Sequence, residues 1–238
     1  MGRSTPLVTI LQHEPAAPPA LLGRFLSDAG LRLDVRRLDR ADEVPAGLSG
    51  CDALIVLGGD MNVGEEAEHP FLLAERELLS EAVRTGVPTL GICLGAQQLT
   101  SATGGGVVRR DALGLGWHAL TVHRDDPLIE GIDRQTLVFQ WRQYACRLPA
   151  AAQLIASGAG DPQIFRLGSA AWGVQFHPEV TLEILTDWFD EDRPTVERAA
   201  TSGSDGLLAE SRRRLPASTA LCGRLVANFL AACDLTHR

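Results

Sequence analysis

The first half of the chain alternates between short apolar runs and longer segments with helical periodicity. The apolar run at 7–13 predicts a buried strand, residues 18–30 predict a helix, and residues 31–38 predict a second strand. An apolar run at 52–59 then leads into glycines, and residues 71–86 predict another helix. This alternation predicts a mainly parallel α/β sheet, in which ligands collect at the carboxyl ends of the strands.

The pattern changes from about residue 104, where apolar runs follow one another with little helix between them. Turn sequences such as DDP and GAGDP separate these runs. We expect antiparallel hairpins that are attached to the sheet and belong to the same domain, with the last strand leading directly to His177. The predicted strands are 119–124, 136–141, 153–157, 163–167 and 170–176.

The end of the chain divides into a charged segment and an apolar one. Residues 190–206 carry many charges and almost no large apolar side chains, which predicts a mobile loop. Residues 217–233 predict an apolar helix that packs back on the core. We therefore expect one domain over 1–190, with the loop and the C-terminal helix of 191–238 packing on that same domain.

Composition excludes several classes of function. The formal net charge is −8 without a basic patch, so nucleic acid is not an expected partner. The N-terminal apolar run is too short for a signal peptide, and no run approaches the roughly 20 apolar residues of a membrane span. The cysteines are odd in number and lack C-x-x-C spacing, which favours a reducing cytoplasm and no structural metal. They are Cys51, Cys93, Cys146, Cys222 and Cys233.

The strongest chemical signal is Cys93 in the sequence GICLGAQQL. It directly follows the strand-like run VPTLGI and precedes a helical segment. A side chain on such a turn is held above the sheet, and the helix N-terminus favours a thiolate. Gly91 and Gly95 flank it, as a tight turn requires. Cys93 taken alone could equally be a buried core cysteine.

A second motif supplies the base that a cysteine nucleophile needs. His177 ends the strand-like run of GVQFHPEV, and Glu179 follows two residues later. A histidine can take the thiol proton and return it to a leaving amine, while a carboxylate fixes the orientation of the ring. The two motifs together therefore predict a Cys-His-Glu hydrolytic centre.

These two motifs, Gly-x-Cys-x-Gly-x-Gln and Gln-Phe-His-Pro-Glu, resemble those of the class I glutamine amidotransferase family. Within that family, the chain resembles a stand-alone glutaminase like the one of GMP synthase. The resemblance covers about the first 190 residues. It includes DALIVLGGD at 52–60, which is similar to the family's glycine-rich oxyanion strand, and GLGW at 114–117, which resembles a family turn. It implies a flavodoxin-like, three-layer fold with an added antiparallel hairpin region.

The resemblance also implies a role for each matching residue. Cys93 would be the nucleophile, His177 the general base and acid, and Glu179 the residue that orients the histidine. The backbone N–H groups of Gly59 and Leu94 would form the oxyanion hole.

Four further residues are candidates for substrate binding. Gln97 occupies the position that contacts glutamine in the family, and Gly58 and Gly95 border the same site. The chain departs from the family at Arg142, where many relatives have a histidine-containing motif. Arg142 could bind the carboxylate of a γ-glutamyl compound, or it could be a surface arginine.

The implied reaction cleaves the γ-amide of L-glutamine, through a γ-glutamyl thioester, to glutamate and ammonia. It requires no cofactor and no metal. No P-loop and no second nucleotide-binding half follow in the sequence, so we expect the ammonia to pass to a separate synthetase subunit. Two alternatives stay open at this point. One is a γ-glutamyl amide or peptide hydrolase that acts alone, and the other is a degenerate amidotransferase domain that only binds.

Overall fold

A computed structural model describes residues 5–40 and 42–235 of the chain. It contains an eight-stranded sheet, a separate two-stranded sheet and six α-helices within the described ranges. The strands are β1 Leu7–Gln12, β2 Arg32–Arg37, β3 Ala53–Val56, β4 Thr89–Ile92, β5 Gly106–Ala119, β6 Thr121–Val122, β7 Leu137–Arg147, β8 Gln153–Gly158, β9 Asp161–Leu167 and β10 Ala171–Val174. The helices are α1 Ala20–Asp28, α2 Phe71–Thr85, α3 Leu94–Ala102, α4 Leu182–Glu191, α5 Arg193–Ala199 and α6 Gly203–Ala232.

The large sheet has the order β2-β1-β3-β4-β10-β9-β8-β6. Its first five strands are parallel, while β9, β8 and β6 continue it in antiparallel pairing. Strands β3, β4 and β10 are buried along their whole length, as expected for central strands covered on both faces. The predicted mainly parallel, flavodoxin-like α/β fold is confirmed.

Two apolar clusters cover the two faces of the sheet and make the fold three-layered. One cluster joins α1 and α6 to the sheet, through side chains such as Leu22 and Phe229. The other joins α2 and α3 to the opposite face, through side chains such as Leu79 and Leu99. The catalytic motifs therefore lie at the ends of strands whose flanks are fixed by packing on both sides.

The hairpin region is more divided than the sequence predicts. Strands β8 and β9 extend the main sheet, whereas β5 and β7 pair only with each other, as a long antiparallel ribbon. Their register shifts between Arg109 and Gly114. The GLGW sequence at 114–117 lies inside β5, so the expected turn there is wrong. Its glycines accompany the irregular pairing instead, and Gly116 has a φ of 103°.

The charged segment 190–206 is helical, where a mobile loop was predicted. After α4 ends at Glu191, the Asp192 carboxylate accepts a hydrogen bond of 3.3 Å from the Thr195 N–H and caps α5. A proline in the first turn also suits a helix start, and Val196 of α5 is fully buried. The cap, the proline and the buried Val196 thus favour a helix in a segment whose composition predicts a loop.

The C-terminal helix α6 starts well before the predicted residue 217 and packs along the core. By length and composition alone it could cross a membrane, but its buried face carries core residues from Leu207 to Leu230. The ring of Phe229 meets that of Trp172 edge-on, at 5.9 Å between centroids. Burial on one face is the arrangement of a core helix in a folded domain.

Candidate active site

Cys93 lies on a sharp turn between β4 and α3. Its backbone has φ 50° and ψ −103°, a conformation that is rare for a residue with a side chain. The Cys93 N–H donates to the Val174 carbonyl at 2.8 Å, which ties the turn to β10. A Cβ at Gly91 would lie 2.5 Å from the Gly95 carbonyl oxygen, and one at Gly95 would lie 2.1 Å from that of Val56. Only glycine fits at either position, so the turn and its cysteine are held rigidly.

His177 follows β10, the neighbour of β4 in the sheet. Its backbone N–H donates to the Phe139 carbonyl at 2.9 Å, and its ring Nδ1 lies 2.8 Å from Oε1 of Glu179. Burial by itself would lower the pKa of His177, but the facing Cys93 and Glu179 outweigh burial and raise the pKa well above 6.5. A raised pKa suits His177 to take up a proton beside Cys93.

The glycine turn after β3 approaches both of these side chains. A Cβ at Gly58 would lie 3.0 Å from Cε1 of His177 and 3.6 Å from Cβ of Cys93. Gly59 forms part of the cavity wall beside Cys93. Leu94 is the first residue of α3, where N–H groups lack a partner within the helix. The turn and the helix start therefore border the same space.

A buried histidine, His13, lies directly behind this turn. His13 and Glu75 are both fully buried, with Nε2 of His13 2.7 Å from Oε2 of Glu75. Nδ1 of His13 lies 2.9 Å from the Gly58 carbonyl oxygen. With an oxygen on each side, the ring is placed to donate from both nitrogens, as its protonated form does. Burial opposes this, but Glu75 outweighs it and raises the pKa of His13.

A cavity of about 240 Å³ lies beside Cys93 and His177. Cys93 and His177 lie in its wall, together with two tryptophans from β7 and α4. The ring of Trp188 meets the His177 ring edge-on at 5.1 Å and the Trp141 ring at 5.8 Å. Four carboxylates, here called the rim, also line the cavity, and the sequence alone does not assign them to the site. They are Glu14, Asp60, Glu191 and Asp192.

Of the residues predicted to bind substrate, Gly95 and Gln97 lie below the cavity and not in its wall. Gly95 packs against the carbonyl of Val56. Gln97 is only 4% exposed, and its backbone N–H donates to the Cys93 carbonyl at 3.1 Å. The geometry gives both residues a part in shaping the turn.

Arg142 has protein partners on all three of its guanidinium nitrogens. Nε donates to Gln140, Nη1 donates to the Tyr144 carbonyl, and Nη2 pairs with Asp161 at 3.0 Å. The same Asp161 oxygen also pairs with Arg110 at 2.9 Å. Arg142 is neither a surface arginine nor part of the cavity wall, since its side chain is only 1% exposed. This geometry does not support the expected contact with a substrate carboxylate, because the ion pair ties β7 to β9 instead.

In the part of the chain that the structure describes, no group of three or more His, Cys, Asp or Glu side chains is placed to hold a metal ion. Cys93 and His177 are side chains of the kinds that perform nucleophilic attack and proton transfer. The cavity, the strained cysteine and the His-Glu pair together suit acyl transfer.

Comparison with known proteins agrees with this chemistry. Residues 20–187 match the family described as class I glutamine amidotransferases. A GMP synthase (glutamine-hydrolyzing) from Porphyromonas gingivalis is 34% identical over 145 residues, which cover 58% of this chain but only 27% of that synthase. An imidazole glycerol phosphate synthase subunit HisH from Natronomonas pharaonis is 31% identical over 204 residues, covering 67% of this chain and 89% of the subunit.

Among solved structures, a glutamine amidotransferase from Thermotoga maritima superimposes with a TM-score of 0.87. It shares 24% sequence identity, and the alignment covers 96% of this chain and 99% of the other, which establishes the shared fold. The match over residues 20–187, joined to the cysteine turn and its facing histidine, shows that the chain belongs to the class I glutamine amidotransferase family.

Proposed function

We propose that the chain hydrolyses the γ-amide of glutamine, or of a γ-glutamyl compound, with Cys93, His177 and Glu179 as its catalytic triad. The observation that carries the proposal is the strained turn at Cys93, which faces a histidine hydrogen-bonded to Glu179 at 2.8 Å. A strained backbone is retained where the surrounding structure enforces it, and such positions concentrate at active sites.

The first half-reaction forms a thioester. The Cys93 thiolate attacks the γ-carbonyl carbon, and the oxyanion that develops is held by the N–H groups of Gly59 and Leu94. His177 then donates its proton to the leaving nitrogen, so ammonia departs as the C–N bond breaks. Preorganised donors of this kind are usually the largest single contribution to catalysis.

The second half-reaction regenerates the enzyme. Neutral His177 takes a proton from water, and the hydroxide attacks the thioester carbon against the same two N–H groups. The C–S bond breaks, glutamate leaves, and the proton on His177 restores the ion pair with Cys93. Glu179 holds the ring in position throughout and stabilises its charged form.

We further propose that the ammonia is used by a separate acceptor enzyme. Two kinds of relative support this view. One is a synthase of which this chain matches 27%, and the other carries the word subunit in its name. The test is ammonia release from glutamine with and without candidate acceptor enzymes.

The decisive experiment combines turnover with labelling of the nucleophile. Purified protein is assayed for glutamate and ammonia release from L-glutamine, and is treated in parallel with a diazoketone analogue of glutamine before mass spectrometry. We expect Cys93→Ala to abolish both turnover and the adduct. Cys51→Ala serves as the control, because Cys51 is half-buried and lies outside the cavity. An adduct that persists in Cys93→Ala would contradict the assignment.

A further inference from the structure

The rim of the catalytic cavity carries negative charge from several elements of the fold. Glu14 follows β1, Asp60 follows the glycine turn, and Glu191 and Asp192 lie at the end of α4. Among the described residues that line the cavity, none is a lysine or an arginine. Glutamine carries one ammonium and one carboxylate and has no net charge, whereas a γ-glutamyl compound with a second ammonium has a net positive charge, which four carboxylates attract.

The same cavity holds the proposed reaction centre. Cys93 is 6% exposed and His177 is 4% exposed, and both line the cavity together with the four carboxylates. A substrate amide bound at Cys93 therefore lies in the same cavity as these carboxylates. The acidic side chains can then act on the charge of the substrate.

The acidic surface continues outward along α4. Glu183, Asp187 and Glu191 are spaced by four residues, which places them on one face of the helix. All three line a groove that shares Glu14 and Asp60 with the catalytic cavity. Like charges at this spacing destabilise a helix, and α4 contains no lysine or arginine to offset them. A stripe that costs stability is expected where function requires it.

Two of the carboxylates that line the cavity, Glu14 and Asp60, are partly desolvated beside other carboxylates. Burial, and then the nearby Asp60, raise the pKa of Glu14 to about 7. Burial, and then Asp192, also raise the pKa of Asp60. Trp141 and Trp188 lie in the same wall, and aromatic rings attract cations as well. A positively charged ligand would relieve the repulsion among the carboxylates.

We propose that the preferred substrate of this site is a γ-glutamyl amide whose leaving amine carries a second, positively charged amino group. The inference rests on the proposed hydrolysis at Cys93 and specifies its substrate class. With such a substrate the product is an amine, so transfer of ammonia to an acceptor enzyme applies only to turnover of glutamine itself. The γ-glutamyl carbonyl lies at Cys93, and the cationic end of the leaving amine extends along the acidic face of α4. Glu191 and Asp192 are the specificity residues nearest to the start of that path.

The chemistry remains a balanced hydrolysis. The amide C–N bond breaks as the Cys93 thioester forms, and His177 gives its proton to the departing nitrogen, which leaves as a diamine. Water then cleaves the thioester to glutamate. No oxidant, reductant or second substrate other than water is consumed.

The test compares three γ-L-glutamyl amides that differ only at the far end of the leaving amine. The amines are 1,4-diaminobutane, pentylamine and 5-aminopentanoic acid, which end in an ammonium, a methyl group and a carboxylate. We expect kcat/KM to be at least tenfold higher for the diaminobutane amide than for the pentylamide, and lowest for the carboxylate. Several exposed ion pairs, each worth up to about fivefold, account for this ratio.

Charge variants identify the residues responsible. In the double variant Glu191→Gln with Asp192→Asn, we expect the ammonium-to-methyl ratio to fall toward one. Asparagine also caps helices, so Asp192→Asn keeps the start of α5. Asp28→Asn is the control, because Asp28 is an exposed residue at the end of α1 that lines neither the cavity nor the groove. Raising the salt from about 0.02 M to about 0.5 M should reduce the ratio in the wild-type protein.

Binding to the Cys93→Ala protein, measured by calorimetry, gives the same comparison without turnover. A tenfold tighter binding of the diaminobutane amide supports the proposal even if the isolated chain is slow. Equal binding of the ammonium and methyl compounds, or no binding of the diaminobutane amide, overturns it. Equal Cys93-dependent turnover of all three amides would overturn the charge preference alone. If the protein showed no turnover and no labelling of Cys93, the proposed hydrolysis itself would be overturned.

Discussion

The buried pair of His13 and Glu75 offers a sharp test of how the site is supported. We consider the change Glu75→Gln, which keeps the size of the side chain and one acceptor oxygen but removes the charge. Both side chains are fully buried, and the ring also contacts the Gly58 carbonyl. Water therefore cannot simply take over the interactions that the pair makes. The change therefore probes the charge that holds the histidine in its protonated form.

The magnitude follows from what the histidine can do when its partner is lost. Breaking a buried ion pair costs about 3–5 kcal/mol when a charge is left behind. His13 can release its proton instead, which leaves only a poorly satisfied hydrogen-bonding group, at a cost of about 1–3 kcal/mol. For a chain of this size that loss lowers the melting temperature by about 2–12 °C.

The direction of the pKa shift of His13 determines how the stability of each protein depends on pH. In the wild-type protein the pKa of His13 is raised above its ordinary value of 6.5, so its stabilising contribution is complete below pH 6.5. That contribution is lost as the pH rises through the raised value. In Glu75→Gln burial prevails and lowers the pKa of His13, so the variant loses stability below pH 6.5. The difference between the two proteins should be larger at about pH 6 than at about pH 9.

The assay is guanidinium unfolding at both pH values, with Glu77→Gln as the matched control. Glu77 lies on the same helix two residues away and is exposed, so the identical chemical change there should have little effect. If Glu75→Gln behaved like the control at both pH values, or if its deficit grew as the pH rose, the account of a protonated buried pair would be refuted.

Three other predictions concern the triad, the cysteine turn and the cap of α5. Glu179→Gln should lower kcat by about 10²-fold in steady-state kinetics with glutamine, because the 2.8 Å bond to His177 then joins a neutral partner; unchanged kcat would contradict its orienting role. Gly91→Ala should lower the free energy of unfolding by about 1–3 kcal/mol or more, because its Cβ would lie 2.5 Å from the Gly95 carbonyl oxygen, whereas Gly47→Ala, with nothing nearer than 3.8 Å, should have little effect in the same measurement. Asp192→Ala should cost about 1 kcal/mol in thermal unfolding and Asp192→Asn much less, and equal losses would argue against the cap.

The sequence was sufficient to predict the parts of the fold that follow from local periodicity. The β-α-β opening and the strand before Cys93 have strong apolar patterns, and their bounds agree with the structure within a few residues. The two glycines beside Cys93 were also readable, because a strand-to-helix turn leaves no room for a Cβ. These features depend on neighbours in the sequence.

The parts that could not be predicted depend on contacts between distant residues. The α5 segment has the composition of a loop, and its helix depends on the burial of Val196 against the rest of the fold as well as on its local cap. His13 is 62 positions from Glu75, and no local pattern links the two. The acidic rim likewise collects side chains from three separate parts of the chain, so it exists only in the folded protein.

The acidic stripe lies on a helix outside the sheet that holds the catalytic groups. Strands β3, β4 and β10 end at the glycine turn, the nucleophile and the base, whereas α4 brings Trp188, Glu191 and the surface that a substrate tail would meet. In the proposed mechanism, reaction chemistry comes from the strand ends, whereas α4 contributes a large part of substrate choice. A protein engineer could exchange the exposed face of α4 while leaving the triad in place. Natural relatives could acquire new substrates by the same route, through changes in one surface helix.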